Sequence, residues 1–219
     1  MIGNGVDTDR YSPDADAADE AVRARLDLQR GDRVFLNIGG VEARKNTMLV
    51  LDAFAGIHAK EPRARLVIAG GASILDHDAY RTQFAYALAN SNLPPHAVIQ
   101  TGSLPQELMP ALYRAAHALV FPSVSEGFGL VVLEAMASGI PVIVSRIAPF
   151  TEYLGDDDVL WCAPFDAASI AAAMTASLDR ARRSVLAGRG LAIAARHPWK
   201  SVAQAHLAPY RVLREPAHA

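Results

Sequence analysis

Two carboxylates and two glycines occur together in one short stretch, Ser125–Glu134. An apolar run, Ala118–Phe121, precedes it, and the helix-forming run Leu130–Ala137 overlaps its end, so the pattern predicts a strand, a glycine loop and a helix. Amides at the start of such a helix face the crevice at the carboxyl end of the strand, where they can hold a phosphate. Gly127 and Gly129 let the backbone approach a ligand without a Cβ between them.

The two carboxylates of this stretch are Glu126, in the predicted loop, and Glu134, in the predicted helix. The other residues of that helix are apolar, which predicts that the helix is buried. A buried carboxylate needs a partner. A ribose provides two adjacent hydroxyls that one carboxylate can accept from, and a core arginine provides an ion pair. Local chemistry leaves both alternatives open.

A second candidate loop, Gly39–Asn46, follows a predicted strand and carries Arg44 and Lys45 just before a helix. Positive charges beside the positive end of a helix are unfavourable unless an anion joins them. Lysine suits a phosphate as a point charge, and arginine can bind it through two parallel hydrogen bonds. The alternative interpretation is a solvated surface pair.

The stretch from Glu126 to Val142 resembles the donor-site signature of retaining GT-B glycosyltransferases of family 4. The matching features are the Glu126-(x7)-Glu134 spacing, the internal Gly-Phe-Gly and the following Ala-Met-Ala-Ser-Gly-Ile-Pro-Val. The resemblance extends from Asn4 to about Tyr210. It implies that Glu126 contacts the hydroxyls of the donor sugar and that Glu134 contacts the nucleotide ribose. It also implies that the diphosphate and sugar are held by the loop amides of Gly127, Phe128, Gly129 and Leu130.

The same resemblance assigns roles to two further loops. Lys45 matches the lysine of the family's diphosphate clamp, but many members carry arginine where this chain has Gly40, so Arg44 is the candidate for the second cation. Together with Glu126, these two residues are the catalytic candidates. The two cations can stabilise the negative charge that develops on the departing diphosphate, whereas Glu126 contacts the donor sugar. Ser103 and Leu104 line the expected base subsite. Recognition there is largely by main-chain groups, so the sequence does not distinguish a UDP-sugar from a GDP-sugar.

Short apolar runs alternate with helical patterns along the whole chain. This arrangement predicts an α/β fold, a Rossmann-like doubly wound parallel sheet of about six strands with helices on both faces, which is one half of a GT-B fold. Strands are predicted at Arg33–Ile38, Arg65–Ala69, Ala97–Thr101, Ala118–Phe121, Pro141–Val144 and Val159–Trp161. Helices are predicted at Ala17–Leu28, Thr47–Ile57, Asp76–Ala89, Pro110–Ala116, Leu130–Ala137, Asp166–Leu178, Arg182–Ala195 and Trp199–Leu213. Asp166 is the predicted N-cap of the helix that it begins.

The domain prediction is one Rossmann-like donor-binding domain over residues 1–219. Residues 1–16 contain Asn4-Gly5-Val6-Asp7, which resembles the family's interdomain hinge. Residues 198–219 are predicted to form a terminal helix that crosses to an N-terminal, acceptor-binding domain. The chain is therefore interpreted as the C-terminal half of a two-domain enzyme that is inactive as an isolated half. Self-association through the exposed face of the terminal helix is a further expectation.

Composition excludes several classes of partner. The formal net charge is −2, so nothing favours nucleic acid or an anionic membrane, and no apolar run approaches the roughly 20 residues that span a bilayer. The single cysteine, Cys162, excludes an internal disulfide and fits a reducing compartment. The expected location is cytoplasmic, with the full-length enzyme peripheral to the inner membrane.

The predicted partners are a nucleotide sugar and a sugar or lipid/glycan acceptor, with no cofactor. No metal site is predicted, because the seven histidines show no ligand spacing and no aspartate-rich motif occurs. Two alternatives to the transferase remain, a non-catalytic nucleotide-sugar-binding module and one half of a GT-B nucleotide-sugar epimerase.

Overall fold

The computed structural model describes residues 3–71 and 78–214. Its described part contains a six-stranded sheet in the order β3-β2-β1-β4-β5-β6, and every neighbouring pair is parallel. This confirms the predicted doubly wound α/β class. The strands are β1 Arg33–Ile38, β2 Ala64–Ala69, β3 Val98–Gly102, β4 Ala118–Phe121, β5 Val142–Ser145 and β6 Leu160–Cys162.

The helices of the described residues follow the predicted order, with differences at their ends. They are α1 Ala17–Arg25, α2 Thr47–His58, α3 Asp78–Ala89, α4 Met109–Ala115, α5 Leu130–Ala137, α6 Phe150–Tyr153, α7 Ala167–Ser177, α8 Arg180–Ala194 and α9 Trp199–Arg214. The first helix ends earlier than predicted because Asp27 adopts a left-handed φ of 48°. Helix α8 begins two residues early because the Asp179 carboxylate accepts a hydrogen bond from the Arg182 amide and caps it.

Three short elements were not predicted. They are α6 and the 3-10 turns Ala43–Lys45 and Gln106–Leu108. Each is too short to show a hydrophobic period. The predicted start of α3 at Asp76 lies outside the described residues, whereas the predicted cap of α7 is confirmed, since the Asp166 carboxylate accepts from the Ala168 amide at 2.9 Å.

Helices cover both faces of the sheet, as predicted. On one face, Leu36 of β1 and Leu119 of β4 pack with residues of α1, α4, α5 and α8. On the other face, Phe35 and Val120 pack with residues of α2, α3 and α7. Strands buried on both faces read as continuous apolar runs rather than alternating ones, which explains the sequence pattern.

The strand order reverses between β1 and β4. These neighbours pair through Phe35 with Ala118 and Leu36 with Leu119, and the buried Asn37 amide donates to the Val120 carbonyl at 2.8 Å. Ligands of open α/β sheets bind at the carboxyl edge of such a switch point. The two candidate loops of the sequence follow these two strands, so the fold places them at that edge.

The first described segment lies beside the residues that lead into α9. The Val6 amide donates to the His197 carbonyl at 2.8 Å, and Val6 forms a parallel bridge with Pro198, just before α9. The segment that resembles a hinge is therefore fixed next to the start of the terminal helix. Among the described residues, no helix is long and apolar enough to cross a membrane.

Candidate functional site

Glu126 joins the two candidate loops. Its Oε1 atom lies 2.6 Å from Lys45 Nζ and 2.8 Å from Arg44 Nη1. Arg44 also donates from Nη1 to the Ser125 carbonyl at 3.3 Å and from Nε to Glu42 Oε1 at 3.1 Å. Residues 81 and 82 positions apart in the chain thus form one ionic cluster at the carboxyl edge of β1 and β4.

Of the two cations in this cluster, Lys45 is the buried one. Its side chain is 10% exposed, against 43% for Arg44, so a solvated surface pair describes Arg44 better than Lys45. The ammonium lies 4.3 Å from the centre of the Phe121 ring, at the end of β4. Burial lowers the pKa of Lys45, and the Glu126 carboxylate opposes that shift. The sequence predicted an anion beside Arg44 and Lys45, and the carboxylate of Glu126 is that anion in this structure.

Gly40 marks where this chain departs from the family pattern, and the structure gives a reason for the small residue. Its φ is +72°, and a Cβ built there would lie 2.6 Å from the Gly71 carbonyl oxygen. The loop after β2 therefore occupies the space that a side chain at position 40 needs. The guanidinium of the ionic cluster is instead supplied by Arg44, four residues later.

The loop before α5 is shaped by Gly129. This residue has a φ of +82°, and a Cβ there would collide with the Phe150 ring. Gly127, by contrast, has open space where a Cβ would point. Phe128 is half-buried and stacks on Tyr153, with ring centres 5.2 Å apart. The first amides of α5 are free of the helix ladder, as at every helix start, and can donate to an anion.

The prediction that α5 is buried all round is wrong for its first turn. Leu130 is 38% exposed, and Glu134, one turn later, is only partly buried. The reason is that this side of the helix borders an open space that separates it from Val6, Tyr11 and Trp199. Both residues line a cavity of about 240 Å³.

Glu134 is paired, but not with an arginine. Its Oε2 accepts a hydrogen bond of 2.7 Å from the hydroxyl of the buried Tyr113, and the ion pairs of the described residues do not include it. Tyr11 packs edge-on against Tyr113 with ring centres 5.7 Å apart. Burial and then the Glu134 carboxylate raise the pKa of Tyr11 to about 12 and the pKa of Tyr113 well above its usual value. Both phenols therefore stay neutral donors beside a carboxylate.

The sequence did not reveal Tyr113 or Tyr153. Both aromatics have the spacing of core residues, and their proximity to Glu134 and Phe128 exists only in the folded chain. A signal was nevertheless present at Tyr113, because a buried tyrosine hydroxyl needs a polar partner and its own helix supplies none. No comparable signal marked Tyr153.

Ser103 and Leu104 follow β3, which lies two strands away from β1. Ser103 is exposed and its side chain lies close to Gly71, while Leu104 packs partly against the core. The Gly70 amide donates to the Gly102 carbonyl at 3.0 Å, so the loops after β2 and β3 are held together. A cavity of about 290 Å³ opens between these loops.

A larger cavity, of about 670 Å³, extends from Glu126. Glu126, Gly127, Phe128, Tyr153 and the first turns of α9 line it. Glu126 of the ionic cluster therefore borders the wide cleft, whereas glycines at or just after the carboxyl ends of β1, β2 and β3 border the smaller cavity. Within residues 3–71 and 78–214, no group of three His, Cys, Asp or Glu side chains could hold a metal ion.

Residues 18–185 match the family model of glycosyl transferases group 1. The chain belongs to this family. It is 32% identical over 181 residues to the O-antigen chain mannosyltransferase B of Escherichia coli, an alignment that covers 81% of this chain and 45% of the relative.

Two solved structures show the same fold. The sucrose-phosphate synthase of Thermosynechococcus elongatus has 29% identity and a TM-score of 0.83, over 97% of this chain and 52% of that one. The Anabaena protein HepE, solved in complex with UDP-glucose, has 19% identity and a TM-score of 0.85, over 96% of this chain and 57% of that one. The described sheet is thus the Rossmann-like domain of GT-B glycosyltransferases. The chain spans about half the length of these relatives.

Proposed function

We propose that this chain binds a nucleoside-diphosphate sugar and forms the donor half of a glycosyltransferase active site. The observation that carries the proposal is the cluster of Glu126 with Arg44 and Lys45 at the switch point of the sheet. Arg44 and Lys45 supply positive charge for a diphosphate, and Glu126 supplies a carboxylate that can accept hydrogen bonds from sugar hydroxyls. Membership of the glycosyl transferases group 1 family and the UDP-glucose complex of HepE support this reading.

The cluster suggests how the donor enters. A diphosphate carries more negative charge than one carboxylate, so it can replace Glu126 at Arg44 and Lys45. Glu126 then becomes free to accept hydrogen bonds from the sugar. Binding of the phosphates and engagement of the sugar are thereby coupled through one side chain.

Glu134 is the residue proposed for the ribose. Tyr113 uses one of its carboxylate oxygens, and a carboxylate can accept about four hydrogen bonds in all. The remaining lone pairs can accept from the two ribose hydroxyls. Exposure of Leu130, one turn before Glu134, keeps this side of α5 open to a ligand.

The proposed chemistry is stabilisation of the leaving group. Negative charge grows on the diphosphate as the bond to the sugar breaks, and Arg44, Lys45 and the first amides of α5 are placed to stabilise it. These groups supply positive charge without a metal ion, which supports a metal-independent reaction. The resemblance to retaining enzymes of family 4 supports retention of the anomeric configuration.

Calorimetry with UDP and GDP, each in Mg²⁺ and in EDTA, tests the donor site. At least one nucleoside diphosphate should bind, with the same affinity in both buffers. Lys45→Gln should weaken that binding and leave the corresponding nucleoside unaffected, and the effect should shrink with added salt. The matched control is Lys60→Gln, at an exposed lysine distant in sequence from the cluster. If no nucleoside diphosphate binds, the donor site is not where we place it.

Retention is tested separately. A glycosyl transferase domain that activates its donor should release sugar slowly by hydrolysis, and proton NMR identifies the anomer formed first. The anomer of the donor supports retention. First release of the opposite anomer contradicts it without affecting the donor-binding proposal.

A further inference from the structure

The amino ends of the strands, opposite the candidate site, enclose a second polar cavity. It has a volume of about 370 Å³, and its polar wall consists of Arg23, Arg114, His117, Ser138 and Arg183. In the part of the chain that the structure describes, no aspartate or glutamate lines it. A neighbouring cavity of about 340 Å³ shares Arg183 and adds Arg33 and Arg180. We call the first cavity the amino-edge pocket.

The positive charge of the amino-edge pocket is only partly compensated. Arg114 is paired, at 3.0 Å to Asp16 and 2.9 Å to Asp19. None of the ion pairs found in residues 3–71 and 78–214 includes Arg23, Arg33 or Arg183. These guanidiniums are close enough to act together on one imidazole.

That imidazole belongs to His117, at the entrance to β4. Its Nε2 atom lies 3.2 Å from Arg33 Nη1, and its Nδ1 atom lies 3.4 Å from the Val34 amide. Burial, then Arg183, Arg33 and Arg23, lower the pKa of His117 to about 4. A neutral imidazole among positive side chains is the state expected when the counter-anion is not bound.

Ser138 provides an independent observation. It is 3% exposed, and its Oγ atom has no hydrogen-bond partner among the described residues. A buried hydroxyl without a partner costs free energy, so its position on the wall of the pocket points to an acceptor that is not part of the chain. The alternative is that the arginines serve only the carbonyl groups at the end of α5, which Ser138 caps.

We propose that the amino-edge pocket binds a phosphate-type anion, either a free phosphomonoester or the phosphate of a lipid headgroup. Guanidinium groups match the oxygens of such an anion through two parallel hydrogen bonds, and Ser138 adds a hydroxyl donor. The six residues of β1, at about 3.3 Å each, separate this pocket from the Lys45 cluster. It is therefore a second site, independent of the proposed donor site.

Binding of inorganic phosphate is the first test. Calorimetry at constant ionic strength should show saturable binding that chloride does not reproduce. Arg183→Gln should weaken it about tenfold, as expected for loss of a charge-assisted hydrogen bond. The matched control Arg182→Gln, at the exposed neighbour in α8, should bind like the wild type. Affinity for the nucleoside diphosphate should be the same in all three proteins, which separates this site from the donor site.

A second measurement does not depend on a variant. An anion beside His117 favours the imidazolium form, so phosphate should raise the His117 pKa followed by NMR, whereas chloride should not. Equal titration in both buffers overturns the proposal. The proposal is also overturned if Arg183→Gln lowers thermal stability equally in phosphate and in chloride, because the arginines would then stabilise only the end of α5.

Vesicles distinguish the two sources of phosphate. Flotation with phosphatidic acid vesicles, against phosphatidylcholine vesicles, should be abolished by Arg183→Gln if a lipid headgroup enters the pocket. Binding of inorganic phosphate without flotation assigns the pocket to free phosphomonoesters. Flotation that Arg183→Gln leaves intact, together with no phosphate binding, contradicts the pocket as an anion site.

Discussion

Glu126 holds two cations that the proposed ligand also needs. The ion pair with Glu126 compensates the buried ammonium of Lys45 when no ligand is bound, since an unpaired ammonium at that position would be costly. The ion pair must also be broken when the donor binds. The net free energy gained from the donor phosphates at Arg44 and Lys45 is therefore smaller than their attraction alone would give. Glu126, which is proposed to bind the donor sugar, therefore also opposes binding of the donor diphosphate.

Replacing Glu126 by glutamine should separate these effects. The bare nucleoside diphosphate should bind more tightly, by up to about tenfold, because its competitor for Arg44 and Lys45 has lost its charge. The preference for the sugar conjugate over the bare diphosphate should disappear. Calorimetry with both ligands measures the change, and Glu42→Gln, which touches only Arg44 in this cluster, is the control. Weaker binding of the bare diphosphate would show that Glu126 does not compete with it.

The role of Glu134 is tested with a modified ligand as well as a variant. Glu134→Gln should cost about 1.5–3 kcal/mol of affinity for both nucleoside and nucleotide, the range for a hydrogen bond to a charged group. The 2′-deoxynucleotide should bind more weakly than the ribonucleotide in the wild type but not in Glu134→Gln. Tyr113→Phe is the control, since it keeps the carboxylate and removes only its internal donor. An unchanged ribose preference in Glu134→Gln would rule out the contact.

At the scale of elements, the strands and long helices could be predicted because their burial shapes the sequence. The continuous apolar run of β4 and the capping aspartate of α7 are examples. Helix α6 could not be predicted, because four residues contain only about one turn. The left-handed Asp27, which ends α1, also lacked a local signal, since aspartate adopts this conformation only occasionally.

The candidate site was accessible from sequence for the residues that form motifs. The placement of Glu126 beside Lys45 depends on two loops meeting across the sheet, which strand order decides and local sequence does not. Tyr113 came from a third element and contributes only a hydroxyl, so nothing near it in sequence indicated its partner. The family pattern marked the glycine at position 40 as a departure, and only the approach of the β2 loop explains it.

The loop before α5 allows a matched glycine test. Gly129→Ala should destabilise the fold, by about 1–3 kcal/mol, because alanine is strained at positive φ and its Cβ would meet the Phe150 ring. It should also weaken nucleotide binding by moving the first amides of α5. Gly127→Ala has open space and should retain wild-type stability. Urea unfolding compares the two, and equal stability would show that the loop is not constrained by Gly129.

At the scale of the whole molecule, the chain spans about half the length of its relatives. Orientation of an acceptor supplies a large part of catalysis, up to roughly 7–11 kcal/mol in well-oriented systems. We therefore expect the 219-residue chain to hydrolyse a nucleotide sugar slowly and not to transfer sugar over multiple turnovers. A coupled assay of nucleoside diphosphate release, with and without sugar acceptors, measures both rates. Robust transfer would contradict the half-site interpretation.

The contact between the loops that follow β1 and β4 also has a consequence for folding kinetics. Lys45 and Glu126 are 81 positions apart, and pairings of such long sequence separation form late, after the local units on either side. A nucleotide can bind only when both loops are in place, so it should slow unfolding while leaving the folding rate unchanged. Stopped-flow unfolding and refolding, with and without nucleotide, would show whether the unfolding rate or the folding rate changes. A bound donor would lengthen the lifetime of the native state without hastening its formation.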